Sequence, residues 1–332
     1  MNVKGKHLLV IRLSALGDVA MTIPVIYSLA RTYPDLKISV VTREFFGRLF
    51  INRPANVHIV AADTKGRHSG IKGLLRLINE LKQLNPDMVA DFHDSLRSRA
   101  IDMAMKASGK PVAMVDKDRR NRRKLTHRGS NPPMQQTPYI ERYMTVLHRL
   151  GLKPDLDFKG LFNTQKQTDC IGIAPFARYT TKTYPPELME KVAAHFAAKG
   201  MKVYLFGSKG AEADMLKSWE TAHPGCIALP GKLTLEQELE LMASLPVMVT
   251  MDSANMHMSS LAGTKVISVW GSTTPHCGFM GYGQSADNAI VLGLECQPCS
   301  IAGKPECPRG HFDCMRRIAP ETIIKKIESA LP

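Results

Sequence analysis

A chain of 332 residues exceeds what a single hydrophobic core usually fills, so two domains of similar size are expected. Hydrophobic residues at 44% and charged residues at 22% are an ordinary globular balance, and no run approaches the roughly 18 apolar residues of a membrane span. A net charge of +14 favours acidic partners: nucleic acid, an anionic membrane surface, or a phosphorylated or carboxylated substrate.

The opening MNVKGK leads straight into LLVI, too short an apolar run for a signal peptide and without a small-residue cleavage site, so a cytoplasmic address is expected. KHLLVIRL, residues 6–13, is nearly continuously apolar, the signature of a central parallel strand covered on both faces. Apolar spacing predicts a helix over 18–32, strands at 36–42, 57–61 and 88–92, and a helix over 71–84. Strands alternating with helices indicate a doubly wound parallel sheet.

The segment 117–138 is polar, basic and rich in Asn, Pro and Gln, and reads as irregular. Its first part, KDRRNRRKLTHR from Lys117 to Arg128, is the densest basic cluster of the chain. It reads as a solvated loop or as a site for an anionic acceptor or lipid headgroups. No helix-turn-helix, RNA-recognition or zinc-finger pattern accompanies it, so no nucleic-acid partner is expected. A helix over 139–150 ends at Gly151, and 154–169 reads as a linker.

The alternation then restarts. Strands are predicted at 170–174, 202–206, 247–251 and 266–270, and helices at 186–199, 211–221, 235–244, 253–262 and 321–331. Two such halves make a pair of Rossmann-like domains, 1–158 and 159–332, whose strand-end loops are expected to face a common cleft.

Three junctions carry chemistry. LSALGDV joins the first strand to its helix, with Gly17 supplying conformational freedom and Asp18 at the join. The plain alternative for Asp18 is a first-turn acid complementing the helix dipole, worth about 0.3–1 kcal/mol. TMDSANMH, 250–257, runs from strand into helix through small and capping residues. Free N–H groups and the dipole at such a start suit a diphosphate, while the alternative is a well-capped helix with Asp252 or Ser253 as its cap. PFARYTTKTYP, 175–185, offers two cations and several hydroxyls just past a strand end; they suit phosphate oxygens, or simply a solvated loop. No GxGxxG follows a strand and no P-loop GKS/T occurs, which removes the main support for a nicotinamide dehydrogenase or an ordinary NTPase.

Taken in order, LSALGDVAMTIP, KTYP and DSANMHMSSLAGTKVISVWGSTTPHCGFMGYG resemble the conserved blocks of glycosyltransferase family 9, the ADP-heptose:lipopolysaccharide heptosyltransferases. DFHDSLRS, 91–98, resembles that family's N-domain acceptor block. The resemblance implies an α/β GT-B fold and an inverting transfer of a heptose or related sugar. The implied donor is a nucleotide-diphosphate sugar such as ADP-heptose, and the implied acceptor a lipopolysaccharide inner core of the Kdo-lipid A type. A bacterial enzyme touching the inner membrane peripherally follows from that acceptor.

Residue by residue, the resemblance implies Asp18 as general base and Lys182, beside Thr181, as the phosphate-binding lysine. The helix beginning at Ser253 matches the diphosphate-binding helix, with Asp252, Ala254 and His257 in the same donor site, although His257 suits helix packing equally well. Glu212 is expected at the donor ribose and Leu233 in the base pocket. Arg97, Ser98, Arg120 and Arg123 are expected at an anionic acceptor, since arginine forks match carboxylate and phosphate geometry. Ala254 stands at the family's usual glycine and Tyr184 at its usual tryptophan, which makes a donor other than ADP-heptose more credible. Two rival readings remain: a GT-B-like nucleotide-sugar epimerase or hydrolase, and a non-catalytic glycan- or lipid-binding relative.

Cys296, Cys299, Cys307 and Cys314 form C-x2-C-x7-C-x6-C. Four thiolates suit a structural zinc, but only the first pair has the tight knuckle spacing; a redox-labile pair or reduced packing cysteines are the alternatives. No cofactor is expected for catalysis itself.

Overall fold

A computed structural model describes residues 3–127, 129 and 131–331, so Arg128 of the basic cluster lies outside the described residues. The chain divides into two compact units, Met1–Lys117 with Tyr139–Lys159, and Asp118–Pro138 with Gly160–Pro332.

The first unit is a five-stranded parallel sheet of β1 (His7–Ile11), β2 (Lys37–Thr42), β3 (Val57–Ala61), β4 (Met88–Asp91) and β5 (Val112–Met114), in the order β3-β2-β1-β4-β5. Every residue of β1 is buried, as a central strand covered on both faces requires. Helices α1 (Leu16–Ala20), α2 (Ile23–Thr32), α3 (Glu44–Gly47), α4 (Gly70–Gln83), α5 (Leu96–Ala107) and α7 (Tyr139–Arg149) cover the sheet, while α6 (Arg119–Thr126) is counted with the second unit. Leu9, Ile11 and Val41 of the strands pack with Leu77 and Leu81 of α4 and Ile101 and Met105 of α5 in one apolar cluster.

Three local expectations change. The helix predicted over 18–32 is two helices, because Pro24 at the start of α2 has no N–H to give to the Ala20 carbonyl; just before it, Thr22 Oγ1 donates to the Val19 carbonyl at 2.7 Å. Gly17 lies inside α1, so it does not make the turn. Within 117–138, α6 occupies Arg119–Thr126, capped by Asp118, whose side chain accepts from the Asn121 N–H and amide at 3.4 and 2.9 Å, while 131–138 is irregular as expected. Helix α5 carries no clear apolar stripe because Ser98 and Asp102 share its buried face with Ile101 and Met105.

The second unit is a six-stranded parallel sheet: β6 (Cys170–Ala174), β7 (Lys202–Leu205), β8 (Cys226–Ala228), β9 (Val247–Met251), β10 (Lys265–Val269) and β11 (Ala289–Ile290), in the order β11-β10-β9-β6-β7-β8. Its helices are α8 (Pro186–Ala198), α9 (Ala211–Ala222), α10 (Leu235–Ser244), α11 (Ala254–Leu261), α12 (Asp313–Arg316) and α13 (Pro320–Glu328). Gly172 in central β6 admits no side chain, since a Cβ there would collide with Met248 and Leu245. In a parallel sheet all carboxyl ends share one edge, so the loops after β6, β7, β8, β9 and β10 gather there. Among the described residues no helix is long and apolar enough to cross a membrane.

Candidate active site

In the first unit the site grows from the carboxyl ends of β1 and β4. Arg12, the residue after β1, is almost fully buried; its Nη1 donates to the Phe92 carbonyl at 2.6 Å and its Nη2 lies 2.7 Å from Asp18 Oδ1. Burial works against the guanidinium charge, and Asp18 beside it more than restores it. Asp18 Oδ2 accepts the Ala15 N–H at 3.0 Å, so both oxygens are oriented, yet the side chain remains 26% exposed at the sheet edge. A first-turn acid tied to its helix start and a reachable carboxylate are therefore compatible roles for one residue.

His93 lies next to this pair. Its Nδ1 faces the Leu13 N–H at 3.4 Å, which fixes Nδ1 as acceptor and puts the ring proton on Nε2. Burial, and then the charges of Arg12 and Lys117, push the imidazole down to about 3, so it is a neutral hydrogen-bonding group. Fully buried Asp91 accepts the His93 N–H at 2.7 Å and the Asp94 N–H at 3.1 Å, shaping the loop that holds the ring. Behind it, Asp102 is pushed up to about 8 by burial and then by the neighbouring Asp91, which favours its neutral form.

Of the expected acceptor residues, Arg97 is half-buried and its Nη1 donates to the His68 carbonyl at 2.6 Å. Ser98 is a correction: it is buried, and its hydroxyl accepts the Ser95 N–H at 2.9 Å while its own N–H bonds Ser95 Oγ at 3.2 Å. That capping box closes α5 and leaves Ser98 unavailable to an acceptor. Arg120 and Arg123 are exposed on α6 in the second unit.

In the second unit, Lys182, Glu212, Leu233, Asp252, Ser253, Ala254 and His257 all follow the carboxyl ends of strands. Lys182 sits in a 3-10 turn, Thr180–Lys182, with Nζ 3.1 Å from Asp252 Oδ2; the two side chains are 12% and 7% exposed. Thr273, just past β10, donates to the same Oδ2 at 2.6 Å. The lysine is thus aimed by a carboxylate that is itself fixed, directly before α11. Ser253 is the N-cap residue of α11, but its hydroxyl makes no capping bond and is buried without a hydrogen-bond partner among the described residues. The first N–H groups of α11, with its positive dipole end, therefore stand uncapped by a side chain. Glu212 Oε2 accepts the Ser208 N–H at 2.7 Å, while Leu233 is half-buried beyond β8 and His257 is buried one turn into α11.

Thr181 is a second correction. Its hydroxyl donates to the Lys304 carbonyl at 2.7 Å and accepts from the Lys304 N–H and Ser272 Oγ, each at 2.9 Å. One donor and two lone pairs are all used, so Thr181 positions the turn and has nothing left for a phosphate. Thr180 donates to the Pro305 carbonyl as well, strapping the cysteine-rich segment to the back of the lysine turn. Tyr184 is fully buried and donates to the Ile318 carbonyl at 2.7 Å, so its exchange for tryptophan is a matter of core packing and says nothing about the donor.

Cys296, Cys299, Cys307 and Cys314 are free thiols lining a cavity of about 360 Å³ together with Thr181, Lys304 and Arg309. Burial pushes Cys314 up to about 12 and raises Cys299. Among the described residues no three His, Cys, Asp or Glu side chains are grouped so as to hold a metal ion.

Sequence reasoning passed over Arg12, His93, Ser272, Thr273 and Lys304. Arg12 had a signal, a charged residue ending an otherwise apolar strand run; the others take their roles only from distant partners.

The family model for glycosyltransferase family 9 (heptosyltransferase) matches residues 74–308. A lipooligosaccharide heptosyltransferase 2 of Campylobacter jejuni is 23% identical over 321 residues, covering 94% of this chain and 95% of the relative. Among solved structures, a family 9 glycosyl transferase from Veillonella parvula aligns with a TM-score of 0.77 at 21% identity, over 100% of this chain and 98% of that one. The E. coli heptosyltransferase WaaC with ADP aligns with a TM-score of 0.69 at 19% identity, over 98% and 99%. The fold they share with this chain is GT-B.

Proposed function

Since the chain belongs to glycosyltransferase family 9 and is a glycosyltransferase, we propose that it moves a heptose from ADP-heptose to a lipopolysaccharide inner-core acceptor, with inversion. The acceptor hydroxyl attacks the anomeric carbon, its proton passes to Asp18, and the bond to the diphosphate oxygen breaks with the electron pair leaving on ADP. General-base help of this kind contributes roughly 10²–10⁴-fold. Charge growing on the departing diphosphate meets Lys182 and the N–H groups that open α11, fixed donors that need no reorganisation. His93, neutral with its proton on Nε2, is a hydrogen-bond donor beside the base. No step is routed through a metal, because a lysine and a helix start supply the positive field. Arg97 and the exposed Arg120 and Arg123 are the candidate contacts to acceptor anions.

The observation that carries this reading is the Lys182–Asp252–Thr273 chain directly before the uncapped start of α11, an arrangement suited to a diphosphate. It is tested by thermal shift against ADP, UDP, GDP, CMP and their sugars, followed by transfer to Kdo-lipid A with the product anomer read by NMR. A ligand that binds only the folded chain raises its stability by mass action. Selective stabilisation by ADP or ADP-heptose and an inverted product are expected, and both persist after chelation. A response to another nucleotide moves the donor, and donor consumption without acceptor restores the epimerase or hydrolase reading. A peripheral place at the inner face of the bacterial inner membrane belongs to the same proposal, since the acceptor is lipid-anchored.

A further inference from the structure

The four most exposed large apolar side chains among the described residues all lie on two neighbouring helices of the first unit. Ile71 and Leu75 on α4 are 80% and 56% exposed, and Leu96 and Met103 on α5 are 89% and 66% exposed. The inner faces of these helices pack into the same apolar cluster, and Arg97 of α5 bonds the His68 carbonyl just before α4, so the two helix starts lie side by side. Their outer faces therefore form one continuous surface.

Charge on that surface has one sign. Lys72, Arg76 and Lys82 of α4 and Lys106 of α5 are exposed, and Arg99 of α5, also exposed, is paired with the buried Asp94 at 2.7 Å. The carboxylates of the two helices are withdrawn: Glu80 is half-buried and paired with Arg67 at 2.8 Å, and Asp102 is buried against the sheet. Along α5 the outward positions run Leu96, Arg99, Met103, Lys106, one stripe at helical spacing that alternates apolar and cationic groups. An ordinary solvated helix mixes both signs and hides its leucines.

We propose that the outer face of α4 and α5 docks on an anionic lipid bilayer, with Ile71, Leu75, Leu96 and Met103 entering the acyl boundary and Lys72, Arg76, Lys82 and Lys106 meeting headgroup phosphates. Apolar side chains flanked by Lys and Arg without acids are what an interfacial surface needs. A second copy of the chain fits poorly, because the same cations would face each other across a self-complementary contact. Both helices begin at the carboxyl edge of the sheet, the edge that carries Asp18, so docking brings that edge to the lipid surface. The inference rests on the proposed glycolipid acceptor only for its purpose, and its test is independent of turnover.

The full chain is sedimented with phosphatidylcholine vesicles, with and without phosphatidylglycerol. Two variants run in parallel, Ile71→Ser/Leu75→Ser/Met103→Ser and Lys72→Gln/Arg76→Gln/Lys106→Gln, each checked for melting temperature and for turnover of a deacylated, water-soluble acceptor. The parent is expected to bind the anionic vesicles preferentially. Each variant is expected to lose about tenfold in partitioning while keeping the parent's melting temperature and soluble-acceptor turnover. A parent that stays in the supernatant, or variants that bind as well as the parent, overturns the proposal. So does a parent dimer that the serine variant converts to monomer, which would make this face a contact between copies. Vesicle binding without transfer to any acceptor leaves the surface standing and removes the proposed function instead.

Discussion

Arg12 Nη2 and Asp18 Oδ1 lie 2.7 Å apart, with the arginine buried beneath the sheet edge and the aspartate partly open above it. This pairing gives Asp18 two duties. It presents a carboxylate at the strand end, and it balances a guanidinium that burial would otherwise penalise.

The base assignment is therefore tested better by Asp18→Asn than by Asp18→Ala. The amide keeps an oxygen for the Ala15 N–H but cannot take a proton, so turnover is expected to fall by roughly 10²–10⁴-fold with donor affinity retained. Both variants leave the Arg12 guanidinium without its charge partner and should lose about 1–3 kcal/mol of stability, the alanine variant more because it also removes the acceptor of the Ala15 N–H. Steady-state kinetics and chemical denaturation of both variants separate the two duties; unchanged turnover in the asparagine variant refutes the assignment.

Lys182→Ala removes a cation from the proposed diphosphate site and leaves Asp252 with Thr273 as its remaining side-chain partner. The stabilisation by ADP should shrink from about 2.7 kcal/mol at a hundredfold excess over Kd to a small fraction of that. Isothermal titration is the check, with Lys182→Ala/Asp252→Asn as control. If the double variant binds ADP as the parent does, the lysine acts only as a counterion for Asp252.

Thr181→Val keeps the shape of the side chain and deletes its bonds to Lys304 and Ser272. Leaving those buried partners unpaired costs about 1–3 kcal/mol. Because the Lys182 turn is strapped there, KM for the donor should rise while kcat changes less. An unaltered KM with the stability loss alone would make the strap purely structural.

Asp102 links stability to pH. Burial, then Asp91, raises its folded value to about 8, above its unfolded value. The carboxyl's contribution is complete below about pH 4, declines as the unfolded chain ionises, and is lost as pH rises through about 8. Asp102→Asn does not ionise and can still donate to Asp91, so its melting temperature should exceed the parent's increasingly from about pH 5 to 8 and match it near pH 4. Parallel melting curves for the two at every pH would refute the raised Asp102 carboxyl.

The sequence by itself determined the alternation of strands and helices and the junctions where chemistry belongs. A buried parallel strand writes itself as a continuous apolar run, as His7–Ile11 and Val247–Met251 do, and the loop after it is local in the chain. The strand-end positions of Asp18, Lys182 and Asp252 were legible for that reason.

Only tertiary structure decided which neighbouring groups serve as scaffold and which stay available. Arg12 meets the Phe92 carbonyl across 80 residues, Thr181 is spent on Lys304 across 123, and Tyr184 is drawn into the core by Ile318 across 134. Helix α5 was hidden by the buried Ser98 and Asp102, whose side chains bond Ser95 and Asp91 rather than facing water. The apolar face of α4 and α5 was equally illegible, because a leucine in a helical pattern reads as core until the packing leaves it outside. A hydrogen bond satisfied at long range leaves no period in the sequence, so the fold is written locally while the assignment of its polar groups is settled by packing.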